Sequence, residues 1–211
     1  FRSAYGHDYT VADEEHDPTG TSCQSMKHYF DAYTLEQRWS GNFGSYDTKG
    51  SVKFYAPVSG TIRDIIKKPI SGGMEYQFSI VSREYPSIYF DFFHTELLSE
   101  LQQGGAVTAG QHLGTIARPH GQAEIAVYVL LTNGKLKYVS FFDVMTPEVF
   151  DQYKQRGITA RSELIISKPD RDSNPIPCHR GGSQNENFIH VGDPESFDRW
   201  QRGVDNWVDL S

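Results

Sequence analysis

The sequence predicts a mostly-β domain: a twisted antiparallel sheet, one short helix in the C-terminal half, and long loop extensions. Two observations carry the prediction. Between residues 51 and 145 the β-branched and aromatic side chains fall into short runs, several of them alternating with polar residues. Turn-forming residues separate the runs, Ser59-Gly60, Tyr85-Pro86 and Asn133-Gly134 among them, so the chain reads as a meander.

Taken in order, residues 9–50 are polar and rich in Gly, Asp and Thr. They are broken by the island Met26-Lys27-His28-Tyr29-Phe30, which predicts one strand inside a long insertion. Residues 52–66 alternate and break at Ser59-Gly60, the signature of a hairpin. Strands follow over 74–82 and 87–93. Leu97, Leu98 and Leu101 have a spacing that suits one or two helical turns, ended by Gly104-Gly105. Residues 112–117, 123–131 and 135–142 read as strands, the last two joined by Asn133-Gly134. Thr146 can cap a helix and Pro147 fits its first turn, so a helix is expected over 146–157. From Lys168 onward the chain is polar, with Phe197, Trp200 and Trp207 to anchor it against the core. The expected organisation is a domain over 1–157, containing the insertion 9–50, and an extension over 158–211 that wraps it.

The chain has 211 residues, 37% of them hydrophobic, enough for one substantial core. Its net charge of −7, from 20 basic and 27 acidic residues with no Lys/Arg cluster, argues against a nucleic-acid partner. No run approaches the roughly 18 apolar residues of a membrane span. The first residues have no signal-peptide pattern, and the lack of an initiating Met favours a processed form. Cys23 and Cys178 lie in polar, turn-rich surroundings that suit a disulfide better than buried thiols, which points to a secreted or periplasmic protein.

Residues 90–128 carry the most suggestive chemistry. An apolar run ends in His94, glycine turns follow, and the next apolar strand carries Glu124. Polar residues on otherwise apolar strands mark a candidate site. Two half-motifs also echo each other, since residues 53–62 and 104–116 both end in Gly-Thr-Ile.

With Arg2, Ala4-Tyr5-Gly6-His7-Asp8, Ala56-Pro57-Val58-Ser59-Gly60, Phe92-Phe93-His94, Gly110-Gln111-His112-Leu113-Gly114 and Glu124-Ile125-Ala126 in this order, the chain resembles the lysostaphin/LytM-type zinc endopeptidases. These are secreted enzymes with a duplicated hybrid-motif fold that cut peptide bridges in bacterial cell walls. The resemblance spans residues 1–144, and the turn around Gln111 is its most specific part. It implies zinc ligands at residue 4, Asp8 and residue 126, and catalytic histidines at His94 and residue 124. Ala4 and Ala126 have no donor for a metal, and Glu124 stands where an imidazole would polarise the reacting group. A catalytic zinc needs about three protein ligands and an open position, so the standard site is absent.

A rearranged site remains open: Asp8, His94 and Glu124 with His28 or His120, each with the loop freedom to swing in, would suit zinc or another divalent ion. Catalytic candidates are therefore His94, Glu124 and Asp8. Tyr5, Lys27, Tyr29 and Tyr128 are candidates for contact with an extracellular polymer, peptidoglycan or another polysaccharide. The sequence supports three functions: a binding or processing domain without the zinc peptidase site, a divergent hydrolase or lyase built on His94, and a non-catalytic interaction module.

Overall fold

The computed structural model describes residues 2–4, 27–33, 37, 40–121, 123–165 and 207–210. Its strands are β1 (Arg2–Ala4), β2 (Lys27–Asp31), β3 (Lys53–Tyr55), β4 (Gly60–Ile70), β5 (Gly73–Ser82), β6 (Ile88–Leu97), β7 (Ala106–Val107), β8 (His112–Ile116), β9 (Ala123–Leu130), β10 (Leu136–Val139) and β11 (Trp207–Asp209). They form one curled sheet in the order β11-β1-β2-β9-β6-β5-β4-β7, while β10 pairs with β9, and β8 pairs with β6 and β3. Every ladder between these strands is antiparallel, as the turn-separated runs predict. The expected β2 strand, the 74–82 and 87–93 strands and the hairpin around Asn133-Gly134 are all present.

Alternation decides which face of the sheet is core. Ile62 of β4, Phe78 and Ile80 of β5, Phe90 and Phe92 of β6, and Ile125 and Val127 of β9 all point to one buried layer. Phe78 and Phe92 stack there at 5.0 Å, and each buried ring contributes about 2–3 kcal/mol of hydrophobic stabilisation.

The repeated Gly-Thr-Ile triplets do matching structural work. Gly60 opens β4 and Gly114 lies inside β8, and an added Cβ would stand 2.2 Å from the Val81 carbonyl oxygen in one case and 2.0 Å from that of Glu96 in the other. Only glycine allows such an approach of backbones. Two residues on, Ile62 and Ile116 are both fully buried. The preceding turns interlock, the Ala56 amide donating to the Gln111 carbonyl and the Gly110 amide to the Ala56 carbonyl.

Three local expectations are corrected. Ser59-Gly60 is not a hairpin turn: Gly60 is paired on both sides, with Ser82 and Val107, and the β4–β5 hairpin turns instead at Gly72, whose φ of +84° suits glycine. No helix forms at 97–101, because β6 continues through Leu97 in pairing with β8 and the leucines serve a tight turn, Leu101 N–H to Leu98 carbonyl. The strand expected over 135–142 stops at Val139, and a short helix α1 (Phe141–Val144) replaces its end.

Ser140 makes that switch. Its Oγ accepts from the Phe142 amide at 3.2 Å, which caps α1 and buries the Phe142 ring. The same hydroxyl meets His28 Nε2 at 2.9 Å. Ser140→Ala removes both partners and is expected to cost about 1–2 kcal/mol, read as a lower urea midpoint at unchanged slope; an unchanged midpoint would contradict this role. Helix α2 (Pro147–Lys154) begins as expected, with Thr146 capping and Pro147 in the first turn. Arg161 donates to the Phe142 and Met145 carbonyls and so ties the chain after α2 to the end of α1.

Candidate functional site

His94 occupies the one point where β6 changes neighbours. Up to Phe93 the strand pairs with β9, and from Thr95 it pairs with β8. On its other side Tyr76 opposes Thr95 and Phe78 opposes Phe92, so Gln77 alone faces both Phe93 and His94. That is a β-bulge, and it accounts for the positive φ of His94, +59°. Strict alternation would send His94 into the core with Phe92. The bulge shifts the parity by one residue, so Thr95 and Leu97 take the buried positions and the imidazole goes to the opposite face. A non-glycine residue in this backbone region is strained by about 1–3 kcal/mol and persists only where its surroundings fix it.

What fixes it is a pair of carboxylates. Nδ1 of His94 lies 2.9 Å from Glu75 Oε2, and Nε2 lies 3.1 Å from Glu124 Oε1. Glu75 Oε2 also accepts from Arg118 Nε at 2.7 Å. The Glu75 and Glu124 side chains are 6% and 10% exposed, against 29% for His94 and 46% for Arg118, so the acids are held inside and the cations face outward. Arg118 is placed by its own loop. The Ala117 amide donates to the His94 carbonyl, and buried Thr48 donates to the Arg118 carbonyl and accepts from the Gly121 amide.

A neutral imidazole has one N–H and one lone pair, so it can donate to only one of two carboxylates. With both carboxyl groups ionised, serving both requires the doubly protonated ring. Burial pulls the His94 pKa down, but the hydrogen bonds and charges of Glu124 and Glu75 outweigh it, and the net shift is upward. Burial likewise pushes Glu75 up, and Arg118 and His94 reverse that to a net lowering. The four groups form a charge-balanced chain of two carboxylates, an imidazolium and a guanidinium.

This arrangement brings His94 and Glu124 together, as the sequence predicts. Asp8, Tyr5, Cys23 and Cys178 lie outside the described residues. His28 is corrected: it is fixed on the expected β2 with no loop freedom to swing in, is fully buried, meets Ser140, and packs edge-on against Phe142 at 4.5 Å on the core side. His120 is also engaged elsewhere, stacked on Phe43 at 4.5 Å with Nδ1 2.8 Å from the Tyr33 hydroxyl. Lys27 and Tyr29 are register partners of Ala126 and Glu124. Glu75 and Arg118 were not foreseen. The signal for Glu75 is its parity, opposite to Phe78 and Ile80, which places it on the Glu124 face once β5 is paired with β6.

The same face continues along β9 and β6. Asp91 is the register partner of Ala126 and Tyr89 of Tyr128. Tyr128 stacks on Tyr89 at 4.7 Å and meets Tyr138 edge-on at 5.8 Å. Ser79 donates to Asp91 and is hydrogen-bonded with Tyr128. Burial first, and then the Asp91 charge, raise the Tyr128 phenol, which stays protonated at any ordinary pH.

A zinc ion of the peptidase kind does not fit these residues. Ala126 is buried on β9 and Ala4 lies on β1, and neither side chain has a donor. Metal ligation needs a deprotonated imidazole nitrogen, whereas both nitrogens of His94 are committed to carboxylates on opposite edges of the ring. Among the described residues no three His, Cys, Asp or Glu side chains converge on a metal position.

The chain matches no family profile and no curated protein. Among solved structures it is similar to lysostaphin in solution, at 17% identity and a TM-score of 0.34 over 44% of this chain and 38% of that one. It is also similar to a putative glycyl-glycine endopeptidase LytM from Ruminococcus gnavus, at 17% identity and a TM-score of 0.35 over 55% and 51%. The catalytic domain of the antimicrobial peptidase lysostaphin from Staphylococcus simulans is a third, at 16% identity and a TM-score of 0.31 over 48% and 92%. The aligned part thus spans 38% and 51% of the first two proteins, and all three are of the lysostaphin/LytM type that the motifs resemble.

Proposed function

We propose that this is a secreted or periplasmic domain that binds a cell-wall or extracellular polysaccharide and has no standard zinc peptidase site. The observation that carries the reading is the occupation of both His94 nitrogens by Glu75 and Glu124. A protonated, doubly bonded imidazole is neither a metal ligand nor a general base, so the ion network serves as structure rather than as a reaction centre. Beside it, Tyr128, Tyr89 and Tyr138 offer half-buried rings with hydroxyls, flanked by the Asp91 carboxylate, which accepts from buried Ser79. Sugars suit such a strip, with C–H faces against rings and hydroxyls on carboxylates. Cys23 and Cys178 suit an oxidising compartment, and no helix among the described residues is long and apolar enough to cross a membrane.

A second reading is favoured by the strain at His94. An imidazolium fixed between two acids can protonate a leaving group, which would make the domain a divergent hydrolase or lyase with Glu124 or Asp8 as partner. One experiment separates the two. The whole chain is mixed with insoluble peptidoglycan and, in parallel, with chitin and a neutral glucan. After centrifugation, protein is measured in the pellet, and released peptides or new sugar ends in the supernatant. Binding without release is expected for at least one polymer. Release of fragments that His94→Gln abolishes would establish the hydrolase or lyase, and absence from every pellet would overturn the polysaccharide reading.

A further inference from the structure

On the opposite face of the sheet from His94, a cavity of about 350 Å³ lies between the core strands and α2. Its floor is apolar, formed by Phe54, Phe92, Ile116, Ile125 and Phe141. Its mouth is polar: Lys53 of β3 stands on one side, and Gln152, Tyr153 and Arg156 at the end of α2 on the other. None of these four side chains has a hydrogen bond or an ion pair among the described residues, in contrast to the interlocked charges around His94. Tyr153 is the most telling of them. Its ring packs edge-on against Phe142 at 5.6 Å, and burial pushes its phenol up to about 12, the Arg156 charge pulling the other way. A half-buried hydroxyl with no hydrogen bond among the described residues, beside a guanidinium, is a donor pair that an acceptor can bridge.

We propose that this cavity binds an apolar monoanion, a medium-chain alkyl carboxylate, with its chain on the phenylalanine and isoleucine floor and its carboxylate between the Tyr153 hydroxyl, Arg156 and Lys53. Charge complementarity selects this occupant. Two cations and a phenol donor stand at the mouth, and the one acidic residue of the described lining, Glu124, turns its carboxylate to His94. The volume is within the range of small-molecule sites, whose walls are mostly apolar with a few polar groups fixing one end. The inference is independent of the polysaccharide reading, because it uses none of the tyrosine strip on which that reading places the sugar.

Isothermal titration calorimetry of the full chain with hexanoate, octanoate and decanoate, each below its micellar concentration, tests it. Saturable one-to-one binding is expected, with affinity rising about four-fold per methylene. Decanol, which has the chain without the charge, is expected to bind at least about ten-fold more weakly than decanoate. Arg156→Gln lies at an exposed position and should leave folding intact. It is expected to remove most of the advantage of decanoate over decanol while keeping the methylene increment. Tyr153→Phe retains the ring and should reduce decanoate affinity in the same direction. No saturable binding by the native chain, equal binding of decanoate and decyltrimethylammonium, or an Arg156→Gln variant with undiminished preference for the carboxylate would each overturn the proposal.

Discussion

Replacing Glu75 with alanine is expected to destabilise the protein by about 2–3 kcal/mol, more than any other single change at the site. Glu75 is the junction of the network, accepting from both His94 and Arg118 through one oxygen while almost wholly buried. Hydrogen bonds to charged groups contribute about 1.5–3 kcal/mol each, and removing one partner of a buried pair costs about 3–5 kcal/mol. The estimate sits below those sums because Arg118 is nearly half exposed and can turn to water, and because the lost carboxylate no longer pays desolvation. Glu75→Gln keeps the shape and one acceptor, so it should cost about 1–2 kcal/mol. Urea denaturation of both variants measures this. Equal stability of Glu75→Ala and the native chain would mean that the network contributes nothing to holding the His94 bulge.

The second large effect is on the pH dependence of stability. His94 has a folded pKa raised above its ordinary 6.5, so its contribution is fully present below that value and is lost as pH rises through the folded pKa. Glu75 has a folded pKa lowered below 4.5, so its contribution is fully present above that value and is lost as pH falls through the folded pKa. The groups facing His94 are Glu75 from β5, Glu124 from β9 and, through Glu75, Arg118 from the loop after β8. Stability attributable to the network should therefore be level between about 4.5 and 6.5 and decline on both sides. The difference in unfolding free energy between the native chain and His94→Gln, followed over pH, isolates the alkaline limb. A difference that grows as pH rises above 6.5 has the wrong sign for a raised imidazole pKa.

Much of this was legible in the chain. Short alternating runs with turn residues between them specify antiparallel pairing, and the echo of Gly60-Thr61-Ile62 in Gly114-Thr115-Ile116 marks two equivalent close approaches of backbone. Thr146-Pro147 marks a helix start because capping is local. His94 and Glu124 stood out as polar groups on apolar strands, and they do meet. What could not be read was non-local. Ser59-Gly60 looks like a turn, but glycine there answers a carbonyl of another strand. Ser140 looks like a strand residue until its hydroxyl is seen capping α1 and holding His28. The bulge that turns His94 outward depends on β6 exchanging β9 for β8, a consequence of topology and not of the residues around it. Glu75 and Arg118 join His94 only through that topology, and the buried place of His28 follows from its register with Ile125 on a core-facing row.

The central claim is that His94 is a structural imidazolium clasped by two carboxylates and unavailable to a metal. Nitrogen-15 NMR of the imidazole side chains, titrated with pH and then with zinc, tests it most directly. Below pH 6.5 both nitrogens of His94 should give the shifts of protonated, hydrogen-bonded ring nitrogens, should titrate only above the ordinary 6.5, and should not move when zinc is added to excess. A ring that titrates below 6.5, or a zinc-induced shift at either His94 nitrogen, would contradict the account and return the site to metal chemistry.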